Sequence, residues 1–185
     1  MDGGGRRCGS RLGAEVSSYA VDDGERLLLI DPTTPRAPIL DLVADRETAI
    51  VLTNPWHERD ARSLSDSLGA PVFAPPPDDD GTGMRVPAQL FSVGDRLPFG
   101  VEAFPGGSRR TTSCSGLRAN LAVAIGDTLI DRGHGIEPLK SWLAEGVTRE
   151  QVVEGLRPLL ERPIEHVLPT HGPPADRAAL ERALS

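Results

Sequence analysis

Apolar residues occur along this chain in short blocks separated by Gly, Pro and Asp. Val16, Ser18 and Ala20 alternate with their neighbours, and Arg26-Leu27-Leu28-Leu29-Ile30 follows as a compact apolar run. Asp22-Asp23-Gly24 lies between them, so the two segments read as a hairpin beginning near Glu15. Asp31-Pro32 ends its second strand, because proline cannot donate to a ladder. Pro38 to Ala44 fits a short helix, and Thr-Ala-Ile-Val-Leu at 48–52 fits a buried strand. Beyond a loop at 53–59, Ala61, Leu64 and Leu68 share one helical face, with Gly69 as the stop and Val72-Phe73-Ala74 as the next strand. A strand, a helix and a strand in that order predict a βαβ unit with parallel pairing.

The second half continues the layered pattern. Pro75 to Gly83 reads as an exposed, mobile loop. Gln89 to Val93 and Gly100 to Phe104 read as strands joined by a turn at Gly94-Asp95. Leu121 to Ile125 and Thr128 to Ile130 read as a hairpin around Gly126-Asp127. Thr148 and Gln151 have capping-box spacing, with Val152, Val153, Leu156, Leu159 and Leu160 as the buried stripe and Pro163 as the end. Ile164 to Leu168 predicts a strand, 169–174 a loop and Ala175 to Leu184 a last helix. The order implies one α/β layered domain over 13–185, behind a Gly- and Arg-rich disordered tail at 1–12.

Composition narrows the functional classes. With 38% hydrophobic and only 4% aromatic residues, the core must be aliphatic. A formal net charge of -7 and the lack of any basic stripe exclude a sequence-independent nucleic-acid binder, which needs clustered cations. No apolar run approaches a membrane span or a secretory signal. The expectation is a cytoplasmic protein with Cys8 and Cys114 reduced, Cys8 being inert in the tail.

Loops at the carboxyl ends of strands are where α/β sheets place their chemistry. Two such loops carry histidine, Thr53-Asn54-Pro55-Trp56-His57-Glu58-Arg59-Asp60 and Leu168-Pro169-Thr170-His171-Gly172. His134 lies in a third loop and reads as a surface residue; His166, inside a strand, reads as structural.

With these landmarks in order, the chain resembles the metallo-β-lactamase fold over roughly residues 15 to 185. The opening strands that end at Asp31-Pro32, the segment "LTNPWHERDARSLSDSLGAPVFAP", the segment "GDTLIDRG" and the segment "EHVLPTHG" look like that family's opening, its Thr-His-x-His-x-Asp-His region, its metal-bridging aspartate hairpin and its last histidine loop. The resemblance implies a four-layer αββα sandwich, a hydrolase of lactams, thioesters, lactones or phosphoesters, and one or two zinc ions that activate water.

Carried over residue by residue, the implied ligand set is incomplete. If His57 takes the second motif histidine, Pro55 takes the first, Arg59 the aspartate and Asp60 the last histidine. A frame shifted by one gives Asn54, Trp56, Glu58 and Arg59. Proline has no donor atom, and a guanidinium repels a divalent ion by several kcal/mol at about 4 Å. No histidine occupies the stretch at 107–116, where Cys114 stands instead. The implied site is therefore His57, Asp60, Asp131 and His171 around no zinc or one, with Asp60 and Asp131 as catalytic groups and Arg59 and Trp56 facing a small-molecule substrate or anion. The bland alternatives are that Asp60 caps a helix and Asp131 closes a turn. Two functions stay open: an ester-, lactam- or thioester-type hydrolase with an eroded metal site, and an inactive scaffold in which Arg59 pairs with Glu58, Asp60 or Asp131 and the cleft binds an anionic ligand or a protein.

Overall fold

The structure, a computed structural model, describes residues 8–9, 15–34, 37–77, 84–105, 113–117, 121–143 and 145–185, with the backbone alone at 8–9, 15, 38 and 113–117. The expected tail lies outside the described residues except for Cys8–Gly9, whose backbone pairs antiparallel with Glu15–Val16. Most of the expected mobile loop, at 78–83, also lies outside them.

Strand β1 (Tyr19–Asp22) and β2 (Arg26–Ile30) form the expected hairpin. Helix α1 (Ala37–Val43), β3 (Glu47–Val51), α2 (Ala61–Leu68), β4 (Val72–Ala74) and β5 (Gln89–Leu90) follow. They make a five-stranded sheet in the order β1-β2-β3-β4-β5, parallel from β2 onward. The second five-stranded sheet comprises β6 (Val101–Pro105), β7 (Ser113–Leu117), β8 (Ala122–Gly126), β11 (His166–Pro169) and β12 (Ala175–Asp176). Between β8 and β11 the chain makes a small ribbon, β9 (Ile130–Asp131) with β10 (Ile136–Glu137), and then α3 (Arg149–Leu156). It ends in α4 (Arg177–Ala183).

Alternation along the strands builds three apolar layers. Leu28, Ile30, Ala49, Val51 and Phe73 from the first sheet meet Val101, Ala103, Ala122 and Ala124 from the second. The opposite face of the first sheet, Leu27, Leu29, Ile50 and Leu52, packs on Ala61 and Leu64 of α2 and on Ile39 and Leu42 of α1. The opposite face of the second, Val123, Ile125 and Val167, packs on Val152, Val153 and Leu156 of α3 and Leu180 of α4. The architecture is helices, sheet, sheet, helices: the αββα sandwich. Strands buried on both faces read as unbroken apolar runs, which explains Leu27 to Ile30. The described residues include no helix long and apolar enough to cross a membrane.

Four sequence expectations change. Residues 128–130 do not return along β8 as a hairpin. Both edges of β8 are occupied, by β7 antiparallel and β11 parallel, so the chain leaves the sheet after Gly126 and Ile130–Asp131 pairs with Ile136–Glu137 instead. The α-helix capped by Thr148 and Gln151 ends at Leu156, and a 3-10 turn carries on through Pro158, which cannot donate to an α-helical ladder. Strand β5 is only Gln89–Leu90, because Asp95 folds back to accept from the Ser92 N–H at 2.7 Å. The last helix starts at Arg177, where Asp176 caps the Ala179 N–H at 2.8 Å.

Candidate functional site

Four strands deliver side chains to one rim through their carboxyl ends. Asp31 follows β2, Thr53 and Asn54 follow β3, Asp127 follows β8, and Thr170 and His171 follow β11. A 3-10 turn at Pro55–His57, capped by the Asn54 side chain accepting from the Trp56 N–H at 3.0 Å, swings His57 into the middle.

His57 is the hub. Its Nδ1 lies 3.0 Å from Asp31 Oδ2 and its Nε2 lies 3.2 Å from Asp127 Oδ2. Asp31 also accepts from the Thr53 N–H at 2.8 Å, from the Thr53 hydroxyl, and from the Thr170 hydroxyl at 3.1 Å. Asp127 Oδ2 further accepts from Asn54 Nδ2 at 3.2 Å, and its Oδ1 faces His171 Nε2 at 3.5 Å. The result is a row, Asp31, His57, Asp127, His171, that crosses from one sheet to the other.

Asp31 and His57 are buried, with 2% and 7% of their surface exposed, so these charges are poorly screened. Burial by itself would push the His57 imidazole down, but the charge of Asp31 and the hydrogen bonds to Asp127 and Asp31 outweigh it and raise its pKa to about 9. Burial opposes the charge on Asp31 and Asp127 as well, and His57 more than offsets it, holding both carboxyls below the usual carboxylate value. Tyr19, whose hydroxyl donates to Pro169 O at 2.7 Å, is pushed up to about 12, chiefly by burial.

The other sequence candidates take different places. Asp60 stands at the start of α2 but makes no capping bond there. Its carboxylate accepts from Thr34 N and from the Thr34 hydroxyl, at 2.5 and 2.7 Å, so the N-cap expectation is corrected. Asp131 closes a turn, accepting from the Gly133 and Gly135 N–H groups at 2.6 and 3.2 Å; its backbone N–H holds His171 O at 2.9 Å. Arg59, at φ +43°, forms none of the expected ion pairs. Its Nη1 donates to Ser17 O and Asp31 O, both at 2.8 Å, and to Ser18 Oγ at 3.1 Å. Glu58 is spent on the Arg85 and Val86 N–H groups. Trp56 is 46% exposed. His134 and His166 are exposed, and the side chain of Cys114 lies outside the described residues.

Sequence reasoning missed Asp31, Asp127 and Trp142. Trp142 packs edge-on to His171, with ring centroids 5.0 Å apart. A signal for Asp127 was present: an apolar strand running into Gly126-Asp127. Gly126 has φ +51°, and a Cβ there would lie 2.9 Å from Thr53 Oγ1, so only glycine lets the two loops approach.

No family model and no curated protein matches the sequence. Solved structures do. The protein TTHA1623, in a di-iron-bound form, matches at 24% identity and TM-score 0.67 over 97% of each chain. The metallo-β-lactamase DIM-1 matches at 16% identity and TM-score 0.74, over 97% of this chain and 90% of that one. The metallo-β-lactamase FIM-1 from Pseudomonas aeruginosa, in a mono-zinc form, matches at 15% identity and TM-score 0.67, over 97% and 87%. This chain has the metallo-β-lactamase fold.

That fold implies a metal, and the donors can be tested against it. A dinuclear centre needs about three His or carboxylate lone pairs per ion. Both nitrogens of His57 are engaged by carboxylates, Asn54 turns its amide nitrogen inward, and Arg59 is cationic and tied to carbonyls. Asp127 Oδ1 and His171 Nε2 face each other at 3.5 Å, and two donors fall short of a site. The described residues contain no group of three or more His, Cys, Asp or Glu able to hold an ion. The described residues do not fit the two-metal centre that this fold implies.

The His171 loop is fixed by close approach. Gly172 has φ +108°, and a Cβ there would meet Asp131 Cβ at 2.6 Å and Asp131 O at 2.9 Å. Gly172→Ala is expected to cost about 2 kcal/mol in thermal unfolding, from backbone strain plus overpacking. Gly133→Ala, at φ +96° with open space around it, should show the strain alone.

Proposed function

We propose that this protein is a hydrolase-like member of the fold that works without a two-metal centre, takes at most one metal ion, and cleaves an ester-, thioester- or lactam-type bond in a small molecule. The observation that carries this reading is the row Asp31, His57, Asp127, His171 at the carboxyl ends of strands from both sheets. General-base chemistry needs an imidazole or carboxylate within reach of water. Across the 3.5 Å gap between Asp127 Oδ1 and His171 Nε2, one water oxygen can sit about 2.8 Å from both atoms. In this reading the pair polarises that water, and Asp127 stabilises positive charge developing on His171. The competing scaffold reading used Arg59 as an anion site; that guanidinium is already bonded to Ser17 O and Asp31 O.

The test joins metal analysis of the protein as isolated with turnover of chromogenic ester, thioester and lactam probes. We expect less than one equivalent of zinc plus iron per chain, and turnover that survives chelation. His171→Ala should lower turnover about 100-fold or more and leave thermal stability almost unchanged. Two tightly held ions per chain, or no turnover of any probe, refute the reading.

A further inference from the structure

We propose that a protonated His57 is the resident cation of this site, its imidazolium bridging Asp31 and Asp127 across the two sheets in place of a metal ion. The proposal rests on the reading that no two-metal centre forms, and goes beyond it by naming what balances the buried carboxylates.

The argument is a donor count. An ionised carboxylate only accepts, and a neutral imidazole has one N–H. Both ring nitrogens of His57 face carboxylate oxygens, at 3.0 and 3.2 Å. A neutral ring would set one nitrogen lone pair against a carboxylate lone pair in a buried place. A proton moved to a carboxylate would sit on the weaker base, a free carboxyl titrating at about 4 and an imidazole at about 6.5. Asp31 Oδ2 already accepts from the Thr53 and Thr170 hydroxyls, and Asp127 Oδ2 from Asn54 Nδ2. The Thr53 hydroxyl gives its proton to Asp31, so the lone pair it turns to His57 Nδ1 at 3.2 Å is a further acceptor. Every polar neighbour of the ring is thus set to receive a proton from it. The remaining charged neighbours are Arg59, bonded to Asp31 O, and His171, facing the far oxygen of Asp127. Removing one partner of such a buried set leaves an uncompensated charge, which holds the proton in place.

The experiment is nitrogen-15 NMR of the full chain, labelled on histidine, at neutral pH, before and after chelator and then zinc. With four histidines in the chain, single His→Gln replacements at 134, 166 and 171 identify the His57 signals by elimination, without requiring a His57 variant to fold. The expected result is a His57 ring protonated at both nitrogens and unmoved by chelator or by one equivalent of zinc. A His57 ring with one bare nitrogen, or one whose signals shift on zinc addition, overturns the proposal. The outcomes separate from those above. Probe turnover with a neutral His57 sinks this proposal alone, and a doubly protonated His57 without turnover sinks the hydrolase reading alone.

Discussion

Replacing His57 with Ala is expected to cost about 3–5 kcal/mol, read from urea unfolding. The loss does not come from an ion pair being strongly stabilising, because desolvating three charged groups consumes most of their attraction. It comes from what the truncation leaves behind: Asp31, 2% exposed, and Asp127, at the end of a fully buried strand, with no cation between them. His57→Gln should cost less, since an amide donates to one side. Pairing His57→Gln with Asp127→Asn should recover part of that cost, a coupling of about 0.5–3 kcal/mol for residues in direct contact. A cost below about 1 kcal/mol for His57→Ala would show that the ring does not hold the row together.

The second large effect is alkaline. Folding raises the His57 pKa from 6.5 to about 9, so the folded chain holds this proton more tightly than the unfolded one. The stability it brings is complete below 6.5 and is lost as pH climbs through about 9. A gap of that size corresponds to about 3 kcal/mol. The carboxyls work in the opposite direction. Asp31 and Asp127 lie below 3.8 in the fold, so their contribution is present above 3.8 and disappears as pH falls through their folded values. Stability should therefore be flat in mildly acidic solution and decline between 6.5 and about 9, with Tyr19 adding a separate loss only between 10 and about 12. Unfolding free energies measured across that range check it. A curve level from 6.5 to 9 contradicts the charged ring.

The sandwich was legible because its strands are buried on both faces and its helices on one, and those periods are written directly in Leu27 to Ile30, in Ala61, Leu64 and Leu68, and in Val152 to Leu156. The site was legible only where a residue type is rare. His57 and His171 stood out, and the structure brings both to the rim. Aspartates are common, and the choice among them depends on pairing that lies outside any local window. Asp131 seemed to deliver the carboxylate because 121–130 read as a hairpin. Once β7 and β11 claim both edges of β8, the carboxylate at the strand end is Asp127. Asp31 read as a strand terminator, although its φ of +45° and its bonds to Thr53, His57 and Thr170 make it the anchor of the row. Arg59 read as a candidate partner for carboxylates. Its actual partners are two main-chain oxygens and the Ser18 hydroxyl, which no residue pattern announces.

The stitches between residues 17–31 and the loop after β11 have a consequence for biosynthesis. The Ser17 N–H donates to Thr170 O at 2.7 Å, the Ser17 hydroxyl to Gly172 O at 2.9 Å and the Thr170 hydroxyl to Asp31. Each closes a loop of well over a hundred residues, an entropic cost met only after most of the chain has condensed. On the ribosome, the first sheet can pair while Asp31 still lacks its threonine from the last strand. The rim can close only once β11 and the loop after it have left the ribosome.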